Sequence, residues 1–469
     1  MSSGKVLTGA TKRKEVGRLL RLLEEGEGGS SKERPQPLEI LTQLKLYGRD
    51  PDGAEPIFCI EGISILASYA FVGYTASSRE ALRCIANALL LAPNLRQAFI
   101  DLELLEKAAE RYRSEDYDDQ FLVSRIILLL TYGTNLKRDE LLRNMSVASS
   151  INAHLIHHAQ IYETNEQNGT ANPIANMALS ETLKLLFNLS VHQDNAIMFQ
   201  PSIKPILSLL SSVNLPSRSL DPPISLLVNA LVNLDFGHAE PSESTDSPSP
   251  SQTSIQILVE KLTEILGTSL KSKKPEELET SLPPLLVVLR KCYDIASEEL
   301  RLHMQEALLP IHEERDVPIG KSDTLPSRLL HLSSSAMAPN LREIIPALMF
   351  ELSDQDPKKF IENIGYGFAA GFLASHNIAV PGSTEQTQGR PVNGTDGPPI
   401  NPITGQRLDK EPEDTGPPMT MEEKEREAER LFVLFQRLGA TGVVNVQNPV
   451  HQAMNDGKLS RFEEVEDSD

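Results

Sequence analysis

The chain has no tryptophan, only three cysteines, and aromatic side chains at just 5% of its 469 positions. So thin an aromatic complement disfavours sheets, which lean on aromatic and β-branched pairs. Leu-rich runs such as Ile126 to Leu130 and Ile206 to Leu210 are left to fill a core between helices. Cys59, Cys84 and Cys292 are odd in number and far apart, which excludes a disulfide framework; they read as buried thiols of a reducing compartment. The sequons at Asn144, Asn168, Asn188 and Asn393 would then go unused. No stretch reaches the ~18 uninterrupted apolar residues of a membrane span, and Met1 to Val16 lack the apolar run of a secretion signal. Positive charge is scarce as well. The net charge of −20 opposes binding to phosphate backbones, which requires a basic footprint. A soluble, cytoplasmic protein that does not bind nucleic acid is expected.

Enzyme signatures are missing too. There is no phosphate-cradling glycine loop, nucleophile elbow or paired CxxC, so neither a catalytic residue nor a cofactor is expected. His154, His157 and His158 share one helix face, but structural zinc sites take four ligands and no cysteine or acidic partner stands nearby in sequence. They read as surface histidines, with no metal.

What the chain does have is a repeat. Glu80 to Asn87 and Glu181 to Asn188 share the pattern E-x-L-(R/K)-x-(I/L)-x-N. At about 100° per residue, Leu82, Ile85 and Leu89 fall on one side of the first helix and Arg83 and Asn87 on the other. Lys184 and Asn188 repeat the polar pair. Val228 to Asn233 keeps the spacing of apolar residue and Asn, and Ile126 to Thr131 keeps it with Thr. This recurrence suits the roughly 40–47 residue period of armadillo and HEAT repeats, so the expected fold is an all-α, armadillo/HEAT-like superhelix over residues 1–375.

Composition marks the interruptions. Six serines and three prolines between Gly237 and Ser254 leave too little apolar surface to offset ordering entropy, so 237–254 reads as a disordered loop. Residues 376–419 are rich in Pro and Gly and read as a flexible linker. Thr420 and Glu423 then form a capping box, and Ala428, Leu431, Phe432, Phe435 and Leu438 an apolar stripe closed by Gly439. An amphipathic helix over 420–438 and a solvated acidic tail over 439–469 follow. The helix either packs on its own superhelix or clamps a partner through Phe432 and Phe435.

The asparagines Asn87, Asn188 and Asn233 offer a donor and an acceptor each, suited to the exposed backbone of a bound peptide; the same amides could instead bridge neighbouring helices. Lys45 and Arg49 form a basic i, i+4 pair that would receive a carboxylate on a concave wall and be solvated elsewhere.

Taken in order, Glu80 to Asn87, Glu181 to Asn188, Leu309-Pro310 through Arg315-Asp316 to Leu325-Pro-Ser-Arg-Leu-Leu330, Gly365-Tyr-Gly-Phe-Ala-Ala-Gly371, Asn401-Pro-Ile-Thr-Gly405 and the Glu422 to Leu438 helix resemble the synembryn family, with fungal members the most similar. The resemblance covers most of the chain. It implies a superhelix that chaperones heterotrimeric G-protein α subunits and exchanges their nucleotide, taking the α subunit's C-terminal helix into its groove. It also implies that Lys45 and Arg49 face that helix and that Asn87 is the groove asparagine; Arg83, Lys184, Asn188 and Asn233 are partner-binding candidates from the repeat itself. A monomer reaching the inner face of the plasma membrane through its partner is implied as well. The chain departs from animal members at Leu122, at Phe368, and in having only Glu385 and Asp396 as acids over His376 to Pro399. The competing expectation is a passive armadillo adaptor for extended peptides, a class that usually pairs its asparagines with tryptophans absent here.

Overall fold

A computed structural model describes residues 7–26, 35–165, 172–212, 220–237, 251–379, 400–401, 404–411, 420–424, 426 and 430. Two compact units divide at Asp409. Among the described residues of the first, the regular elements are helices, with one isolated bridge between Ile400 and Arg407. Its helices are α1 (Gly9–Glu24), α2 (Pro37–Tyr47), α3 (Ile60–Ala70), α4 (Ala76–Leu91), α5 (Leu95–Asp101), α6 (Leu104–Arg111) and α7 (Tyr117–Leu130). They continue as α8 (Val147–Asn165), α9 (Pro173–Leu189), α10 (Gln193–Ala196), α11 (Ile203–Ser212), α12 (Ile224–Val232), α13 (Gln252–Ser272) and α14 (Pro275–Ser281). The last six are α15 (Pro283–Ile295), α16 (Glu298–Leu308), α17 (Leu325–Ser333), α18 (Leu341–Leu352), α19 (Pro357–Ile364) and α20 (Tyr366–Ser375).

Local chemistry sets where these helices begin. Thr75, Asp116, Asn172, Ser251, Ser297, Thr324 and Asp356 cap with side-chain oxygens, satisfying N–H groups that the first turn leaves unpaired. Proline opens α2, α9, α15 and α19, where its missing N–H costs nothing. The Ser251 cap starts α13 inside the segment expected to be disordered, while 238–250 lie outside the described residues.

Packing runs from neighbour to neighbour. Helices α2, α4, α7, α9, α12, α15 and α18 form one stack, each against the one before, while α8, α11 and α13 pack in a second layer behind it. Leu82, Ile85 and Leu89 are buried between the layers, and Arg83 and Asn87 stay partly exposed, as the helical period requires. The chain is thus an all-α solenoid.

Three expectations need correcting. His154 and His158 are buried rather than on the surface. The i, i+4 spacing that put them on one face turns that face inward: His154 Nε2 meets Tyr112 O at 2.6 Å, and His158 Nε2 meets Gln120 Oε1 at 3.2 Å under the Tyr117 ring. Cys84 and Cys292 are buried, with burial pushing their thiols up to about 12, but Cys59 is half-buried and caps α3 by accepting from Gly62 N. And part of the segment expected to be linker is ordered. Buried Arg315 donates to Gly405 O (3.1 Å), Glu362 O and Asn363 O, Ile319 N donates to Thr404 O (3.1 Å), and Gln406 Nε2 to Asp316 O (3.0 Å). A guanidinium with several donors needs carbonyl partners when buried, and the Asn401 to Arg407 turn supplies one of them. Gly405 makes the approach feasible: its φ is +68°, and a Cβ there would overlap Ile319 Cδ1. Phe368 packs its ring over Gly320, where a Cβ would lie 2.8 Å from Cζ.

In the second unit, Thr420 N donates to Glu423 Oε2 (3.0 Å) and Glu423 N to Thr420 Oγ1 (3.3 Å), the two reciprocal bonds of a capping box. The stripe residues Ala428, Leu431, Phe432, Phe435 and Leu438 lie outside the described residues.

Burial, helped by the neighbouring imidazoles His154 and His157, holds His158 neutral and pushes its pKa down to about 4. The unfolded chain takes up that proton near pH 6.5 and the folded protein does not, so the stability is complete above pH 6.5 and is lost as pH falls toward 4. We expect on the order of 3 kcal/mol to disappear over that interval. A His158→Gln variant measured by chemical denaturation should show a flatter acid limb; an unchanged limb would refute the assignment.

Candidate partner-binding face

The polar side of the first stack is stitched helix to helix. On α2, Lys45 Nζ lies 2.6 Å from the largely buried Glu80 Oε2 of α4, an ion pair between neighbouring helices. Glu80 Oε1 accepts from Arg83 one turn on (2.8 Å), and Arg83 also pairs with Asp118 of α7. The same motif repeats two helices further along the stack, on α9. Glu181 of α9 accepts from Lys184 (2.9 Å) and faces Arg125 of α7 at 3.9 Å. The glutamate that opens each motif therefore sits between a base from the preceding helix and its own base at i+3, the spacing that brings helical side chains together.

Beyond these pairs the asparagines take over. Asn188 Nδ2 donates to Thr131 Oγ1 (3.0 Å), and Asn233 Nδ2 to Phe187 O (3.0 Å) and Ser190 Oγ (3.4 Å). Of the two roles open to them, these amides bridge neighbouring helices, so the expected row of free rungs is shortened. Asn87 differs: it is half-buried, and among the described residues no hydrogen bond holds its side chain. Arg49 stands exposed just past the Gly48 cap of α2. Phe432 and Phe435 lie outside the described residues.

Sequence reasoning missed Glu80, Asp118, Arg125 and Glu181 as members of this face, although Glu80 and Glu181 head the repeated motif. It also missed Lys291, whose ammonium donates to Val232 O and, at 2.9 Å, to Leu234 O, closing the C-terminus of α12. Burial pushes its pKa down. Lys291, Asn233 and Asp235 border an open polar cleft of about 1250 Å³ with Arg138, Arg143 and His192 across it. Nothing in the sequence marks that cleft, because its walls come from four separate loops and helix ends.

Beneath the face lies a buried ionic knot. Asp119 of α7 accepts from Arg111 Nη2 (2.7 Å), Arg79 Nη2 (3.2 Å) and Ser114 Oγ (3.2 Å). Burial alone would raise its pKa, but the hydrogen bonds and charges of Arg79 and Arg111 outweigh that and hold the carboxyl below its usual range. Arg111 also donates to Ala70 O (2.7 Å) and Gly73 O (2.8 Å).

Among the described residues, no group of three or more His, Cys, Asp or Glu is arranged to hold a metal, and no helix is long and apolar enough to cross a membrane. A helical stack with polar clamps along one side and a polar cleft at its helix ends is a binding scaffold of the α-solenoid class. The chain belongs to the Ric8 family, guanine nucleotide exchange factor synembryn, whose profile matches residues 40–458.

Among its relatives, a synembryn-like chaperone of Schizosaccharomyces pombe is 27% identical over 298 residues, 60% of this chain and 55% of that protein. The chain therefore matches little more than half the length of that relative. The chaperone Ric-8A of Macaca fascicularis is 24% identical, covering 86% of this chain and 81% of that protein, and Ric-8A of Mus musculus is 24% identical, covering 92% and 86%. The crystal structure of an engineered protein aligns over 77% of this chain and 88% of its own at 14% identity, with a TM-score of 0.43.

Replacing Asp119 by Asn keeps the shape but leaves buried Arg111 without its counter-charge. Breaking a buried pair from one side costs roughly 3–5 kcal/mol. A lowered melting temperature is expected for Asp119→Asn and a much smaller change for Asp118→Asn, whose partner Arg83 keeps Glu80; equal losses would show that the knot is not special.

Proposed function

We propose that this protein binds GDP-loaded heterotrimeric G-protein α subunits, assists their folding, and promotes GDP release and GTP loading by holding the nucleotide-free state. Membership of an exchange-factor and chaperone family supports the class of activity. The observation that carries the partner reading is the α2–α4 corner. There an exposed arginine, Arg49, a half-buried asparagine with a free amide, Asn87, and the cations Lys45 and Arg83 gather in a chain of net charge −20. Such a corner suits the carboxylate-bearing C-terminal helix of an α subunit.

Exchange by this route requires no catalytic side chain. A scaffold that binds the α subunit's last helix more tightly when it is pulled from its own domain favours the state with a weakened nucleotide site, and differential binding alone lowers the barrier to GDP release. The shift obtained is limited by the difference in affinity between the two states. On this reading the protein acts as a monomer in the cytoplasm, reaching the inner face of the plasma membrane with its client.

The deciding measurement is uptake of a GTP analogue by GDP-loaded α subunit. Acceleration is expected, with a stable complex when nucleotide is withdrawn. Peptide binding without acceleration would instead identify a passive adaptor.

Replacing Lys45 and Arg49 together by Ala removes two charge-assisted contacts of roughly 1.5–3 kcal/mol each. Affinity for a peptide of the α subunit's C-terminal helix should fall at least tenfold at an unchanged melting temperature. Unchanged affinity would place the partner elsewhere.

A further inference from the structure

We propose that Glu80 and Glu181 are internal competitors for the cations of the partner-binding face, occupying in the free protein the places that a partner's carboxylates take in the complex. The inference rests on the α-subunit reading above and adds to it a brake on affinity. Its basis is geometric. Glu80 lies between Lys45 and Arg83, and Glu181 between Arg125 and Lys184, so the same carboxylate-between-two-bases arrangement occurs twice along one face. Each glutamate is largely buried, with 12% and 9% of its side chain exposed, while the bases are more accessible, at 24% to 43%. An incoming carboxylate therefore meets the cations from the solvent side with the internal carboxylate behind them.

The Lys45–Glu80 contact leaves Lys45 with donors to spare. Glu80 Oε2 takes one side of the ammonium at 2.6 Å, and an ammonium carries three N–H donors, so Lys45 can also meet an external anion from the solvent side. Exchange of one carboxylate for another around a cation recovers much of the attraction but leaves the internal carboxylate largely buried with one base fewer, so the gain is set against a desolvation cost. A partner bound this way gains specificity from its carboxylates more than raw affinity, and a client that must leave after GTP enters benefits from that balance. Arg49, exposed and without such a glutamate, would supply the uncompensated attraction.

The test uses the full chain and a fluorescent peptide of the α subunit's C-terminal helix, read by anisotropy, beside a neutral version with its carboxylates replaced by amides. Glu80→Gln should bind the carboxylate peptide at least threefold more tightly than the unaltered protein and the neutral peptide equally well. The gain should shrink as salt rises and vanish when Lys45→Ala is added. Glu181→Gln provides the same reading should Glu80→Gln unfold. Equal or weaker binding by the folded variants would overturn the proposal and make the glutamates positioning residues. If the unaltered protein fails to bind the carboxylate peptide, the α-subunit reading falls and this inference with it.

Discussion

In a solenoid where each helix packs on its near neighbours, apolar burial brings helices together but fixes their register poorly, since the hydrophobic effect has no direction. The buried Asp119 carboxylate supplies the direction. It gathers Arg79 from α4 and Arg111 from α6 onto α7, and Arg111 reaches on to the carbonyls that end α3. Four helices, α3, α4, α6 and α7, are thereby held in one arrangement. Arg83 and Asn87 ride on one of them, α4, against which the Lys45 helix α2 packs, so the geometry of the face is set from beneath.

The exposed clamps have a different role. A partly exposed ion pair is worth little, commonly below about 1 kcal/mol, so Lys45 with Glu80, or Lys184 with Glu181, cannot be what keeps the solenoid folded. Their weight lies in electrostatics. Four cations, Lys45, Arg83, Arg125 and Lys184, pair with three carboxylates, Glu80, Asp118 and Glu181, in a strongly acidic protein.

The far end of the first unit is closed by a second device. Arg315 is buried with its pKa pushed down by desolvation, and it is satisfied only by carbonyls, one of them Gly405 O from ninety residues away. Residues 404–407 are therefore part of the fold despite the Pro- and Gly-rich composition around them. Composition measures how much apolar surface a segment can bury; it is blind to a segment that docks through its backbone.

Much of the architecture was legible in the residues. The 3.6-residue period, the capping serines, threonines and aspartates, the prolines at helix starts and the E-x-L-(R/K)-x-(I/L)-x-N repeat are local or periodic features, and they determined the helices and the all-α class. Which partner each polar group takes was not local. Asn188 and Asn233 look equivalent to Asn87 in sequence, yet two are consumed by interhelical bonds and one is free, because that depends on what the neighbouring helix presents at the same height. His154 and His158 were misplaced for the same reason: spacing put them on one face, and only the packing of α8 decided that the face turns inward toward Tyr112 and Gln120. Sequence fixes which side chains share a face; the tertiary structure alone decides what that face meets.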